Sequence, residues 1–201
     1  MMRLYFTRHG ESEANLLREH SNRGFRHPLT VTGRAQAAAL ARKLEGVAVT
    51  RLFTSPIMRA VQTAEILSGA LGIPYEIADA LREYDCGILE GRADEAAWQL
   101  HFAVFDAWVQ KSDWERRIEG GESFIEIRNR FVPFIERLIA EYEGSAADIV
   151  LVGHGGLYRC MLPLVLANAD FDFVLNQPMG NTVCIVTETR PEGLALINWE
   201  G

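Results

Sequence analysis

Two histidines stand beside glycines at the ends of short apolar runs, and the chemistry of the chain is first suggested there. Met2 to Thr7 leads into Arg8-His9-Gly10, and Ile149 to Val152 leads into Gly153-His154-Gly155-Gly156. A neutral imidazole attacks phosphorus in line without adding charge to a monoester dianion, which would repel an anionic nucleophile. Glycines such as Gly10 and Gly155 let backbone amides approach an anion with no side chain in the way. The combination asks for a phosphate.

Both apolar runs read as buried strands ending in glycine turns. In open α/β sheets ligands bind where strands end at a topological switch point, so two histidine turns of this kind can face one pocket. Thr32 to Leu44 and Met58 to Leu71 carry apolar residues at helical spacing, the first with Thr30 or Thr32 as its cap and the second closing at Gly72. Arg51 to Thr54 and Tyr75 to Ile77 read as strands. Further helices are expected over Asp94 to Val109, over Ser123 to Tyr142 from a Ser-Phe-Ile-Glu capping box, and over Leu157 to Leu166 with a bend near Pro163.

Thr182 to Glu188 and Leu194 to Trp199 read as strands joined by a turn at Arg190-Pro191-Glu192-Gly193. The expected fold is therefore a three-layer α/β/α sandwich around a mostly parallel sheet with an antiparallel edge strand. At 201 residues one domain over 1–201 is expected, with a helical cap segment at about 92–119. That segment holds Trp98, Phe102, Phe105, Trp108 and Trp114, which could roof the pocket or simply pack a helix.

A net charge of -7 disfavours nucleic acid as a partner, since that binding needs a basic face. The longest apolar run, Cys160 to Ala167, is broken by Pro163 and too short to span a bilayer, and the amino terminus lacks the core of a secretory signal. Cys86, Cys160 and Cys184 cannot all pair within the chain, so reduced thiols and a cytoplasmic location are expected. No cofactor, no metal and no membrane partner are expected. Oligomeric state is not legible. His20, His27 and His101 show no metal-ligand spacing and read as surface or loop residues, and Cys86 as a packed thiol.

Arg8-His9-Gly10-Glu11 followed by Asn15 resembles the opening of the histidine phosphatase superfamily, also called phosphoglycerate mutase-like. The later blocks agree in order: Leu29-Thr30 with Gly33 and Gln36-Ala37, Ser55-Pro56 with Arg59-Ala60 and Thr63-Ala64, and Glu83 with Gly87 and Glu90-Gly91. Gly120-Gly121-Glu122-Ser123 and Gly153-His154-Gly155 complete the set, so the likeness covers nearly the whole chain. The resemblance implies a phosphate pocket of Arg8, His9, Arg59 and His154, with Glu83 handling the proton and Asn15 touching phosphate. His27 stands where many relatives carry an acid.

The chemistry of each residue fits what the resemblance implies. A carbonyl in the Gly10 turn can accept from His9 Nδ1 and leave Nε2 to attack. Arg8 and Arg59 supply donor forks for the equatorial oxygens, and His154 adds a further positive edge if it is protonated. Glu83 would protonate the leaving oxygen and then deprotonate water, with Glu90 as the neighbouring alternative. Arg116 and Arg117 could reach a second anionic group. The expected activity is hydrolysis of a small phosphorylated metabolite, of the histidine acid-type phosphatase kind. A phosphoglycerate mutase, a non-catalytic phosphate-binding module and a metal-dependent hydrolase ligated by His9 and His154 remain open beside it.

Overall fold

The computed structural model describes residues 1–200. Six strands form one sheet: β1 (Arg3–Arg8), β2 (Val49–Thr54), β3 (Tyr75–Ile77), β4 (Asp148–Gly153), β5 (Cys184–Arg190) and β6 (Gly193–Glu200). Their order across the sheet is β3-β2-β4-β1-β5-β6. The four strands from β3 to β1 are parallel, whereas β5 and β6 run antiparallel as a hairpin at one edge.

Alternate residues of the central strands serve two different cores, because successive side chains on a strand point to opposite faces. Leu4, Phe6, Ile149 and Leu151 face one cluster, and Tyr5, Val150 and Val152 face the other. Helices α2 (Val31–Leu44) and α3 (Met58–Leu71) cover the second face through Leu40, Leu44, Ala60 and Leu67. Helices α4 (Glu95–Lys111), α5 (Phe124–Glu141) and α6 (Gly155–Val165) supply Val104, Phe131 and Met161 to the first. Apolar side chains on both faces explain why these strands read as continuous hydrophobic runs.

The expected caps form as chemistry dictates. Thr30 Oγ1 accepts from the Gly33 amide at the start of α2, and Ser123 and Glu126 form a reciprocal capping box on α5. Two short helices lie outside the sequence expectation, α1 (Glu13–Leu17) and α7 (Phe171–Asn176). Each has under two turns, too few residues for a helical period to show. Helix α6 also starts two residues earlier than expected, with His154 as its N-cap, so the two glycines after His154 form its first turn. Among the described residues no helix is long and apolar enough to cross a membrane.

Candidate active site

The pairing of β1 with β4 places the two histidines together. Arg8 is level with Gly153 in the parallel register, so His9 and His154 leave adjacent strands side by side, their rings 5.1 Å apart. Behind them the chain turns tightly. A Cβ on Gly33 would lie 1.9 Å from the Glu11 carbonyl oxygen, so only glycine lets α2 press against the turn after His9. The same turn is braced by Gln36 Oε1, which accepts from the Glu11 amide at 2.8 Å, and by Thr63 Oγ1, which accepts from the Gly10 amide at 3.1 Å. The blocks containing Gly33, Gln36 and Thr63 therefore hold the turn that carries His9.

His9 Nδ1 lies 2.6 Å from the Gly10 carbonyl oxygen. A carbonyl only accepts, so Nδ1 carries the proton and Nε2 keeps its lone pair. Burial, and then the charges of Arg59 and Arg8, hold the ring well below its ordinary pKa, so it is neutral near pH 7. Arg59, on the first turn of α3, donates from Nε to His9 Nε2 at 3.0 Å and from Nη1 to the Ser21 carbonyl at 2.6 Å. Its Nη2 is 3.4 Å from His154 Nδ1. An arginine only donates, so His154 Nδ1 is an acceptor and its Nε2 donates to Ser55 Oγ at 2.7 Å.

His154 is also neutral here, held down by burial and by Arg59. A cationic His154 therefore requires an incoming anion to offset the arginines. Arg8 donates from Nη1 to the Met179 carbonyl at 2.7 Å, while its Nε is buried with no hydrogen-bond partner. Burial lowers the pKa of both guanidiniums, that of Arg59 to about 10, so both stay charged at neutral pH. Two desolvated cations around two neutral imidazoles make a strong anion site.

Glu83 faces this cluster from the loop after β3. Its Oε1 accepts from the Leu157 amide at 2.6 Å and the Tyr84 amide at 3.2 Å, and its Oε2 accepts from the Gly156 amide at 2.9 Å. Oε1 has both lone pairs engaged, which leaves Oε2 as the atom free to carry a proton. Burial raises the carboxyl above its ordinary pKa, opposed by Arg59 and these amides. A Cβ on Gly156 would stand 2.9 Å from both Glu83 oxygens, so the second glycine after His154 makes room for the acid. Glu122, from the Gly-Gly-Glu-Ser block, grips Arg82 and Arg130 and accepts from the Asp85 amide, which fixes the loop carrying Glu83.

Arg8, His9, Asn15, Arg59, Glu83 and Gly155 line one cavity of about 300 Å³. His154 lies buried directly behind it, and Gly10 lies in the turn. Asn15 Oδ1 accepts from the Ser12 amide, so its side chain closes the start of α1 as well as facing the cavity. Arg116 and Arg117 are corrected: neither lines this cavity. The Arg116 carbonyl accepts from Trp108 Nε1, and Arg117 is exposed and paired with Glu126 at 3.0 Å. Glu90 does not line it either; its Oε2 accepts from the Asn22 amide.

Arg159, Asn22, His20 and His101 line the cavity without having stood out in sequence. Arg159 occupies the second turn of α6, one residue before Cys160 in an apolar run, so it had no motif to mark it. The surface reading of His20 is also corrected: it is 3% exposed, packed beneath Trp98. The aromatic segment divides in two. Trp98 faces the cavity, while Trp108 is in the core and Trp114 stacks on Phe124. His27 is 2.9 Å from Glu19, which also meets Arg26, so a histidine pairs with an acid at that loop.

The pattern of the histidine phosphatase superfamily (branch 1) matches residues 4–200, and the chain belongs to that family. It is 33% identical over 172 residues to the protein named "Probable phosphoglycerate mutase GpmB" of Proteus mirabilis, covering 83% of this chain and 75% of that one. Among solved structures it is similar to a mycobacterial glucosyl-3-phosphoglycerate phosphatase bound to VO3, at a TM-score of 0.81 and 26% identity, over 99% of this chain and 98% of the other. An alpha-ribazole phosphatase from Shigella flexneri also superimposes at 0.81 and 26%, over 100% and 96%.

Proposed function

We propose that this chain hydrolyses phosphate monoesters of small metabolites through a phosphohistidine on His9. The observation that carries the reading is the fixed tautomer of His9: Nδ1 is committed to the Gly10 carbonyl and Nε2 points its lone pair into a site walled by Arg8 and Arg59. An incoming phosphate takes over the Arg59 donor, which then holds an equatorial oxygen. The Nε2–P bond forms as the P–O bond to the leaving group breaks, and Glu83 Oε2 gives its proton to that oxygen. Water then attacks phosphorus, Glu83 recovers a proton from it, and the Nε2–P bond breaks to release phosphate.

Phosphatases among the similar structures support hydrolysis. The likeness to a mutase keeps phosphoryl return to a bound acceptor as the second reading, and Arg159 in the cavity favours a substrate with a second acidic group. Helix α4 serves in this reading as a cap on the leaving-group side, through Trp98 and His101. Metal ligation by His9 and His154 is disfavoured because Arg59 donates to both rings and Arg8 stands beside them, a setting that repels cations.

Turnover quenched without acid should leave an acid-labile, base-stable phosphoryl group on the peptide containing His9, absent from His9→Ala. Label on a serine or cysteine would overturn the mechanism. Supplied with 3-phosphoglycerate, the enzyme should release phosphate or leave the compound unchanged. Isomerisation far faster than phosphate release would favour the mutase.

A further inference from the structure

Beneath Trp98, three side chains that phosphoryl transfer does not use come together: His20, Cys86 and His101. Their ligand-type atoms all lie within 4.8 Å of one another. His20 Nδ1 donates to the Arg92 carbonyl at 3.0 Å, which makes Nε2 the lone-pair atom of the ring. That Nε2 is buried and has no hydrogen-bond partner. Such orphaned buried atoms are uncommon and call for an explanation.

The other two side chains are oriented toward the same point. His101 presents Nε2 to the Tyr84 hydroxyl at 3.1 Å and Nδ1 to Cys86 Sγ at 3.7 Å. The Asn22 side chain donates from Nδ2 to that sulfur at 3.2 Å. Trp98 stacks on His20 with centroids 4.1 Å apart and meets His101 edge-on, its indole N–H tied to the Arg18 carbonyl at 2.8 Å. Both imidazoles are thus clamped in position before any ligand arrives.

We propose that His20 Nε2, Cys86 Sγ and His101 Nδ1 form a binding site for a thiophilic divalent cation such as zinc, with a fourth coordination position open toward the catalytic cavity. Two imidazoles and a thiolate are a zinc donor set, and three protein ligands with one free position are a common zinc arrangement. Each ligand already has the outer partner that metal ligands characteristically have: the Arg92 carbonyl, the Tyr84 hydroxyl and the Asn22 side-chain Nδ2. On binding, three lone pairs are donated to the cation and the Cys86 thiol loses its proton to water. No electron is transferred.

Charge separates this site from the histidine pair of the phosphate pocket. Glu83, Asp85 and Glu90 bring negative charge toward Cys86, Asp85 being paired with Arg23, and the Arg92 guanidinium is turned away onto Asp94. His9 and His154 instead sit among arginines. Because His20 and His101 line the same cavity as His9 and Glu83, an occupying cation narrows the leaving-group side and slows turnover.

The test uses the full chain stripped of metal and titrated with Co²⁺, with Zn²⁺ affinity measured by competition against a chromophoric chelator. Expected are one equivalent bound, the visible spectrum of tetrahedral cobalt and a thiolate-to-cobalt charge-transfer band. Cys86→Ser should lose that band and weaken binding by about 10²-fold or more, and His101→Gln should weaken it similarly. Should Cys86→Ser not fold, Cys160→Ser and Cys184→Ser proteins that keep the band still assign the sulfur. His9→Ala should bind unchanged, so the result does not depend on the phosphatase reading. A weak octahedral cobalt spectrum without the sulfur band, or binding lost in His9→Ala, would overturn the site. Stoichiometric zinc that leaves turnover unchanged would overturn its effect on catalysis.

Discussion

Arg59 Nε and His9 Nε2 face one another at 3.0 Å, so the lone pair proposed to attack phosphorus is covered by the guanidinium proposed to hold the phosphate. The same side chain supplies much of the charge that keeps the ring neutral. Replacing Arg59 by Ala removes that charge and should raise the His9 pKa, visible in a histidine NMR titration of the free protein. The loss of a buried donor to the transferring phosphoryl group should lower kcat/KM by about 10²- to 10³-fold. An unmoved His9 titration would break the proposed link between the two residues.

Glu83→Gln separates proton donation from positioning. An alkoxide leaves poorly unless protonated, whereas nitrophenolate leaves unaided, so alkyl phosphates should lose about 10²- to 10⁴-fold in kcat/KM and p-nitrophenyl phosphate far less. The glutamine NH2 cannot accept from the Gly156 amide as Glu83 Oε2 does, so some stability should also be lost, on the order of 1–3 kcal/mol. Equal losses on both esters would make Glu83 a positioning residue.

Stability should fall on acidification from neutral pH. His9, His20, His101 and His154 all have folded pKa values lowered chiefly by burial, that of His101 to about 4. The unfolded chain binds protons near pH 6.5 that the folded protein refuses, so stability is full above that value and is lost as pH falls toward the folded values. His101 alone accounts for about 3 kcal/mol over this interval. Glu83 acts in the opposite sense: its raised pKa favours the fold below the ordinary carboxyl value, and this is lost as pH rises through the folded one. Four histidines outweigh one carboxyl, so thermal melts should show a lower Tm near pH 5 than at neutrality. A flat or rising Tm would contradict this.

Arg159 and Arg117 make a contrast within one assay. Arg159 lines the cavity, with its Nη1 held by the Leu175 carbonyl at 3.0 Å, whereas Arg117 forms an exposed pair. Arg159→Ala should raise KM for substrates that carry a second acidic group, with little change for p-nitrophenyl phosphate. Arg117→Ala should leave both within about twofold, since an exposed pair contributes under about 1 kcal/mol. A large effect of Arg117→Ala on KM would restore it to the site.

What the sequence made legible followed how local each signal is. Met58–Leu71 and Tyr75–Ile77 are found at the expected bounds because Gly72 and Pro56 punctuate them within a few residues. His9, Arg59, Glu83 and His154 stood in ordered blocks with recognisable neighbours. Arg159 and His20 became visible only through contacts across distant parts of the chain, as when Trp98 folds over His20 from 78 positions away. The expectation for Arg116 and Arg117 came from their closeness to an aromatic segment in sequence, but α4 carries Trp98 to the cavity and its far end, with these arginines, away from it.

The position of β1 between β4 and β5 has a consequence for synthesis. His9, the proposed nucleophile, is made well before both neighbours of its strand, which begin only at Asp148 and Cys184. A nascent chain that has passed Ser55 and Arg59 therefore has no partner strand for β1, and none of the second histidine turn. Such long-range pairing forms slowly and leaves an apolar strand exposed in the meantime. Truncated chains ending before Asp148 should bind chaperones and release no phosphate, because the site closes only when β4 slots in between the strands that bear His9 and Ser55.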